Sequence, residues 1–206
     1  MKRLLTRTVL TRTALTLTFA LGAVCARAQT APPQQPPSQT GSATAEVEGN
    51  GFRLKGLDGK LYDTTRMRGD VLVVSFGATW CVPCTWELVA IEELKVEYTG
   101  KPVKFLWVSI EEKERTSDNL LRHYAKERRL TVPVLRDPGG AALMRYEKSG
   151  TRIPVVAFFD TEGALSGPVH RGMSQDIALY KQMVRGRVDA LLAAKAAASK
   201  QAPASK

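Results

Sequence analysis

Two cysteines, Cys81 and Cys84, lie three positions apart in this chain of 206 residues, and their type and spacing suit redox chemistry. A disulfide between such close neighbours stabilises a fold little, because its effect on the unfolded chain grows with the length of the closed loop. One helical turn nevertheless brings the pair within the roughly 4.4–6.8 Å Cα separation that a disulfide needs. The spacing therefore predicts a reactive pair, in which Cys81 attacks a substrate disulfide and Cys84 resolves the mixed disulfide.

The segments around the cysteines predict a strand, a short loop and the start of a helix. Val71–Phe76 is a nearly continuous apolar run, as in a central strand covered on both faces, and Trp86–Tyr98 has apolar residues at a helical spacing. Cys81 then lies at the helix N-terminus, where unpaired N–H groups and the helix dipole lower the pKa of a thiol. Pro83 suits the first turn because it has no N–H group. We expect Cys84 to be the more shielded sulfur, with the higher pKa.

The N-terminus has the three successive parts of a secretory signal peptide. A basic region, Met1–Arg12, precedes the apolar run Ala14–Val24 and the small-residue segment Ala26–Ala28. We expect cleavage after residue 28 and export to the periplasm, an oxidising compartment. Cys25 would leave with the signal peptide, although its lipidation, which would tether the protein to the membrane, remains an alternative.

A Cys-x-x-Cys pair can also be half of a zinc site, which needs four nitrogen or sulfur ligands. With Cys25 removed, the mature chain offers only two histidines in addition. His123 is expected on a helix surface and His170 near an edge strand. The sequence therefore favours redox chemistry with no metal, and with no cofactor other than the redox-active disulfide.

Composition and charge describe one ordinary globular domain with tails. Hydrophobic residues make up 44% of the chain and charged residues 24%. Most of the net charge of +10 belongs to residues 1–28 and 193–206, which leaves +2 on the body and argues against a nucleic-acid partner. We predict a signal peptide at 1–28, a Pro/Gln-rich disordered tether at 29–45, a folded domain at 46–192 and an Ala/Lys tail at 193–206. The mixed charge run Glu111–Arg115 indicates a solvated surface.

Further strands and helices alternate along the body, which predicts a mostly parallel sheet with helices on both faces. The expected elements are a hairpin at 51–62, strands at 103–110 and 132–135, helices at 118–129 and 175–192, and an antiparallel edge hairpin formed by 153–159 and 165–171.

The stretch Ala78–Cys84, between a hydrophobic strand and a helix, resembles the thioredoxin superfamily, and more narrowly the secreted TlpA/ResA-like thiol–disulfide oxidoreductases. The resemblance covers about residues 50–192 and includes the leading hairpin and the Ile153–Pro154 dipeptide before an apolar strand. It implies an α/β fold of the thioredoxin type: a three-layer sandwich whose central mixed sheet carries helices on both faces and an N-terminal β-hairpin extension.

The resemblance also implies roles for individual residues. Cys81 matches the nucleophile and Cys84 the resolving thiol. Pro154 matches the family's cis-proline, and Ile153 before it offers backbone groups to an extended substrate. Trp80 matches the aromatic residue that shields the disulfide. Together with Pro83 of the motif, Trp80, Ile153 and Pro154 are the expected substrate-binding residues.

Two positions bear on proton transfer. Thioredoxins place a buried acid on the strand six residues before the first cysteine, where this chain has Ser75, which cannot hold a proton for relay at neutral pH. Glu87 matches a glutamate that the ResA-like branch has on the active-site helix. A partly buried carboxylate of raised pKa there suits the acceptance of a proton from Cys84. The alternative is a first-turn glutamate that interacts with the helix dipole.

The residues between the cysteines are Val and Pro, and no His is present to stabilise the reduced thiolate by charge. We therefore expect a reductant of selected periplasmic protein disulfides, itself re-reduced by a membrane-embedded electron donor. Cytochrome c maturation is a frequent role in the family. A copper-delivering module of the same fold and a peroxiredoxin-type peroxidase are the alternatives. The peroxidase motif Pro-x-x-x-[Thr/Ser]-x-x-Cys is absent before Cys81.

Overall fold

A computed structural model describes residues 51–148 and 152–201, so the predicted signal peptide (1–28) and tether (29–45) lie outside the described residues. The strands are β1 (Arg53–Gly56), β2 (Leu61–Asp63), β3 (Val71–Gly77), β4 (Val103–Ser109), β5 (Val134–Arg136), β6 (Val155–Phe159) and β7 (His170–Arg171). The helices are α1 (Val82–Glu97), α2 (Asp118–Glu127), α3 (Leu143–Tyr146) and α4 (Ile177–Gln201), and two 3-10 turns span Thr64–Arg66 and Pro138–Gly140.

The seven strands form one mixed sheet in the order β2-β1-β5-β4-β3-β6-β7. The β3–β4 and β4–β5 pairs are parallel, and the other four pairs are antiparallel. The mixed sheet with its leading hairpin β1–β2 is therefore confirmed, whereas the expectation of a mostly parallel sheet is wrong. Hairpins at the two ends of the sheet give the antiparallel pairs β1–β2 and β6–β7, and the pairs β1–β5 and β3–β6, which join strands distant in sequence, are antiparallel as well.

Both faces of the sheet are covered, as the fold class requires. All seven residues of β3 are buried, because neighbours flank this strand on both sides and side chains cover it above and below. One face packs against side chains of α1, α2 and α4. The other face packs against Phe52, Tyr146 and the short helix α3. The alternation of side chains along each strand divides the core into these two layers.

Helix α1 begins at Val82, directly after Cys81, whose sulfur caps it, so the predicted helix start at Cys81 is confirmed. The C-terminal helix differs from the prediction. Helix α4 continues to Gln201 and includes much of the predicted tail, since alanine and lysine favour helix. Strand β7 contains only His170–Arg171, with one further bridge between Phe159 and Leu165. Within residues 51–148 and 152–201, no helix combines the length and the apolar character needed to cross a bilayer.

Candidate active site

The two cysteines form a disulfide at the carboxyl end of β3, with their Cα atoms 5.2 Å apart. The predicted pairing is confirmed. Cys84 is fully buried, whereas Cys81 keeps 4% of its surface exposed, so Cys84 is the more shielded sulfur as expected. Cys81 also lines an open surface groove, which Cys84 does not, so Cys81 is the sulfur that an attacking partner can approach.

Cys81 caps α1, and its sulfur faces the first turn of the helix. The backbone N–H of Cys84 donates a hydrogen bond to Sγ of Cys81 over 3.2 Å. Val82 and Pro83 occupy the first two helical positions, and the ring of Pro83 leaves no N–H group without a partner there. A thiolate at Cys81 would therefore be stabilised by a backbone donor and by the positive end of the helix dipole, both of which lower the pKa of the thiol.

Glu87 is fully buried three residues after Cys84 on α1, a spacing that places the two side chains on the same face of the helix. Its carboxyl accepts hydrogen bonds from the hydroxyl of Ser75 at 2.5 Å and from the hydroxyl of Tyr180 at 2.7 Å. Burial raises the pKa of Glu87 to about 7, although both hydrogen bonds lower it. The alternative of a first-turn glutamate is wrong, because Glu87 lies in the second turn and its surroundings disfavour the charged form.

Tyr180 is a site residue that the sequence did not identify. It projects from α4 and lies 93 positions after the carboxyl to which it donates, so no local pattern connects the two. Ser75 occupies the strand position at which thioredoxins have a buried acid. It is part of the site, because its hydroxyl donates a hydrogen bond to the carboxyl of Glu87. A buried serine in an otherwise apolar central strand was the available signal, because such a hydroxyl needs a partner.

An open groove of about 640 Å³ lies beside the reactive sulfur. Trp80, Cys81, Pro83 and Ile153 line it, together with Arg152 and Arg171. Ile153 packs against the buried cluster that contains the disulfide, and its bond to Pro154 is cis, as the family resemblance implies. Trp80 is 68% exposed, so most of its ring is available to a partner.

A second buried carboxylate, Glu111, holds the loop that precedes the cysteines. It accepts hydrogen bonds from the backbone N–H and the hydroxyl of Thr79, at 2.9 and 2.6 Å, and from the hydroxyls of Ser109 and Thr116. Burial alone would raise the pKa of Glu111, but these donors outweigh burial and hold the pKa below its usual value. The interpretation of this charge run as a solvated surface is therefore wrong for Glu111, which anchors the segment that presents Trp80.

The histidines do not form a metal site with the cysteines. His123 is exposed on α2 and pairs with Glu127 at 3.0 Å, and His170 lies on the edge strand β7. Among the residues that the structure describes, no three His, Cys, Asp or Glu side chains are grouped so that they could hold a metal ion.

Comparisons with known proteins agree with this geometry. The profile of the Redoxin family matches residues 39–170. The thioredoxin-like protein YneN of Bacillus subtilis is 35% identical over 121 residues, which are 59% of this chain and 68% of YneN. The thiol-disulfide oxidoreductase ResA of Oceanobacillus iheyensis is 29% identical over 129 residues, and the match spans 61% of this chain and 64% of ResA, less than two thirds of that relative.

A solved structure has the same fold. The exposed lipoprotein thioredoxin of Streptococcus pneumoniae superposes with a TM-score of 0.56 and 28% identity, over 68% of this chain and 99% of that one. The superposed share corresponds in size to the body of the chain that carries the sheet and the disulfide.

Proposed function

The chain belongs to the Redoxin family as a TlpA/ResA-like protein of the thioredoxin superfamily, and from that premise we propose that it is a thiol–disulfide oxidoreductase which reduces selected protein disulfides in the periplasm. One observation carries the proposal: a disulfide at the N-terminus of a helix joins a reachable sulfur, Cys81, to a fully buried one, Cys84. This asymmetry suits the two successive attacks of thiol–disulfide exchange.

The reaction begins with the thiolate of Cys81, which attacks one sulfur of a substrate disulfide. The substrate S–S bond breaks, a mixed disulfide forms at Cys81, and the other substrate sulfur leaves as a thiolate. Cys84 then loses its proton and attacks Sγ of Cys81, which breaks the mixed disulfide and releases the second substrate thiolate. The substrate has gained two electrons, and the protein is left with the Cys81–Cys84 disulfide seen in the structure.

Glu87 is the proposed acceptor of the proton that Cys84 gives up. A carboxyl with a pKa of about 7 is partly ionised at neutral pH, so it can both take the proton and release it afterwards. Cys84 precedes Glu87 by three positions on α1, a spacing at which side chains of adjacent helical turns interact. Ser75 and Tyr180 act on this step through Glu87, as positioning residues.

Substrate contact is proposed for the groove beside Cys81. Trp80 offers exposed apolar surface there, and the half-buried Pro83 and Ile153 line the same groove. Pro154 is buried behind Ile153, so its proposed role is to hold the backbone of Ile153, which can align an extended segment. Arg152 adds positive charge at this groove, which would favour substrates with acidic residues next to the cysteine.

The direction and the setting of the reaction extend the proposal. With Val and Pro between the cysteines, the thiolate of Cys81 has backbone donors and the helix end for stabilisation but no neighbouring imidazolium, which favours a reducing dithiol. We infer export by the N-terminal signal peptide, re-reduction by a membrane-embedded electron donor, and cytochrome c maturation as the process that uses the reducing equivalents.

The testing experiment is the trapping of partners on a Cys84→Ala variant expressed with its leader in a bacterial periplasm. Mixed disulfides should accumulate at Cys81 and disappear on treatment with dithiothreitol. The matched control, Cys81→Ala, should trap few or none, because the buried Cys84 is out of a partner's reach.

Equal trapping by both variants, or none by either, would overturn the proposed exchange at Cys81. Tight Cu(I) binding by the reduced protein, combined with no reduction of insulin disulfides, would instead support the copper-delivering alternative.

A further inference from the structure

Trp107, in the centre of β4, carries a buried donor without an acceptor. Its side chain is completely buried, and within the described part of the chain its indole Nε1–H donates to no hydrogen-bond acceptor. A buried donor left in this state costs about 1–3 kcal/mol in folding free energy, so such groups are rare and usually have a reason. The ring is also held in place, because it stacks on Tyr124 with the ring centroids 5.6 Å apart.

The indole nitrogen lies beside the buried sulfur of the active site. Gly77 ends β3 next to both groups, and a Cβ atom placed on it would stand 2.8 Å from Nε1 of Trp107 and 3.2 Å from Sγ of Cys84. The donor and the sulfur therefore border one and the same small volume, which is open because residue 77 has no side chain. Other nearby hydroxyls are already used, since those of Ser75 and Tyr180 donate to Glu87.

We propose that the indole N–H of Trp107 is the hydrogen-bond donor for the Cys84 sulfur when the disulfide is open. The inference rests on the proposed exchange reaction and deepens it. In the disulfide form the Cys84 sulfur is uncharged and only a weak acceptor, which explains why the indole lacks a partner. A thiolate at the same position is a strong acceptor, and a charge-assisted bond to it is about twice as strong as a neutral one.

The donor acts at two stages of the cycle. During re-reduction, a thiolate of the electron donor attacks Sγ of Cys81, the Cys81–Cys84 bond breaks, and its electron pair passes to Sγ of Cys84, which becomes a buried thiolate. Trp107 stabilises that charge until a proton arrives. During substrate reduction, Trp107 lowers the pKa of Cys84 while Glu87 takes the proton, so one group stabilises the anion and the other removes the proton.

Nuclear magnetic resonance of the unmodified protein tests the inference directly. The chain has three tryptophans, so a sample labelled with ¹⁵N-tryptophan gives three indole N–H signals, which single Trp→Phe variants assign. On reduction with dithiothreitol, the Trp107 proton signal should move downfield as Cys84 ionises with rising pH, and its exchange with solvent should slow. The signal of Trp86, which is 40% exposed on α1, is the internal control and should not follow that titration.

A Trp107 signal that stays at one position in both redox forms, across the whole ionisation of Cys84, would overturn the inference. This readout does not use a substrate. A protein that shows the indole shift but reduces no disulfide would refute the proposed function and leave the hydrogen bond established.

A second measurement isolates the effect on the sulfur. In a Cys81→Ser background Cys84 is the only cysteine of the pair that titrates. Its pKa can then be measured from the thiolate absorbance at about 240 nm or from alkylation rates. Adding Trp107→Phe keeps an aromatic ring but removes the N–H, and should raise the pKa of Cys84 by about 1 to 2, the equivalent of one hydrogen bond to a charged group. Adding Trp86→Phe instead should leave it unchanged, and an unchanged pKa in both variants would contradict the proposal.

Discussion

Replacement of Glu87 by glutamine should change how the unfolding free energy depends on pH, and both the sign and the size of that change follow from the structure. The carboxyl is fully buried and burial raises its pKa from 4.5 to about 7. Between these two values the folded protein holds a proton that the unfolded chain has released. Stability contributed by the neutral carboxyl is therefore complete below pH 4.5 and is lost as the pH rises through about 7.

The size of the effect follows from the same two values. One unit of pKa difference corresponds to 1.36 kcal/mol, so the wild-type protein should lose about 3 kcal/mol of unfolding free energy to this one group between pH 4 and pH 8. Glutamine has nearly the shape of the protonated side chain and does not titrate. As the pH rises from 4 to 8, the unfolding free energy of the Glu87→Gln variant should therefore increase by about 3 kcal/mol relative to that of the wild type.

The assay is chemical unfolding of the oxidised protein, with the disulfide intact, at pH values from 4 to 8. The measured quantity is the difference in unfolding free energy between variant and wild type, because every other titrating group cancels in it. Glu114→Gln is the matched control: it makes the same substitution at an exposed position, and so reports the effect of exchanging glutamate for glutamine where burial does not act.

A Glu87→Gln difference that stays constant with pH would refute the reasoning, because it would mean that the buried carboxyl ionises as in the unfolded chain. A difference of opposite sign would show that the hydrogen bonds from Ser75 and Tyr180 outweigh burial. The same variant should slow substrate reduction at neutral pH. Unchanged turnover together with an unchanged titration of Cys84 would remove Glu87 from the mechanism.

Three further changes have expected outcomes. Tyr180→Phe removes a hydrogen bond that lowers the pKa of Glu87, so the pH range over which the oxidised protein loses stability should move upward, and a range that does not move would contradict the contact. Glu111→Ala should lower the unfolding free energy at pH 7 by about 3 kcal/mol, because buried donors lose a charged acceptor. Since the pKa of Glu111 is held low, that loss should shrink as the pH falls below its usual value, and a loss independent of pH would count against an ionised anchor. Gly77→Ala should destabilise the protein by about 1–3 kcal/mol, because the new Cβ would stand 2.8 Å from the indole nitrogen, whereas Gly186→Ala, on an open helix surface, should be neutral or stabilising in the same unfolding assay.

The parts of the fold that follow from local patterns were predictable. The apolar run of β3, the hairpin β1–β2 and the start of α2 at Asp118 each depend on a few neighbouring residues, and each was found where expected. Strand direction outside the hairpins was not predictable in the same way. Whether β6 lies parallel or antiparallel to β3 depends on the path of the chain between β5 and β6, and no periodicity in either strand records it.

The cysteine pair was predictable because its chemistry is local to one helical turn, but the side chains that surround it come from distant elements. Glu111 belongs to a run of mixed charges that suggests an exposed loop, and only its position at the end of β4 places it beneath Thr79. In the sequence Trp107 resembles an ordinary core residue. Its proposed role depends on Gly77 of the neighbouring strand, which has no side chain between the indole and the sulfur of Cys84. Such roles arise from register between strands, which residue type alone does not encode.

The contact between Ser75 and Glu87 explains how this site can do without an acid on its central strand. A carboxyl in β3 and a carboxyl in the second turn of α1 would both face the buried region under the disulfide, and two buried like charges there would each oppose the ionisation of the other. With serine in the strand, a single carboxyl remains, and the hydroxyl donates to it at 2.5 Å. Ser75 therefore adjusts the pKa of the proposed proton acceptor, Glu87, and is not itself a proton acceptor. Ser75→Ala should consequently raise the pKa of Glu87, whereas Ser75→Asp should be tolerated only when one of the two carboxyls stays protonated.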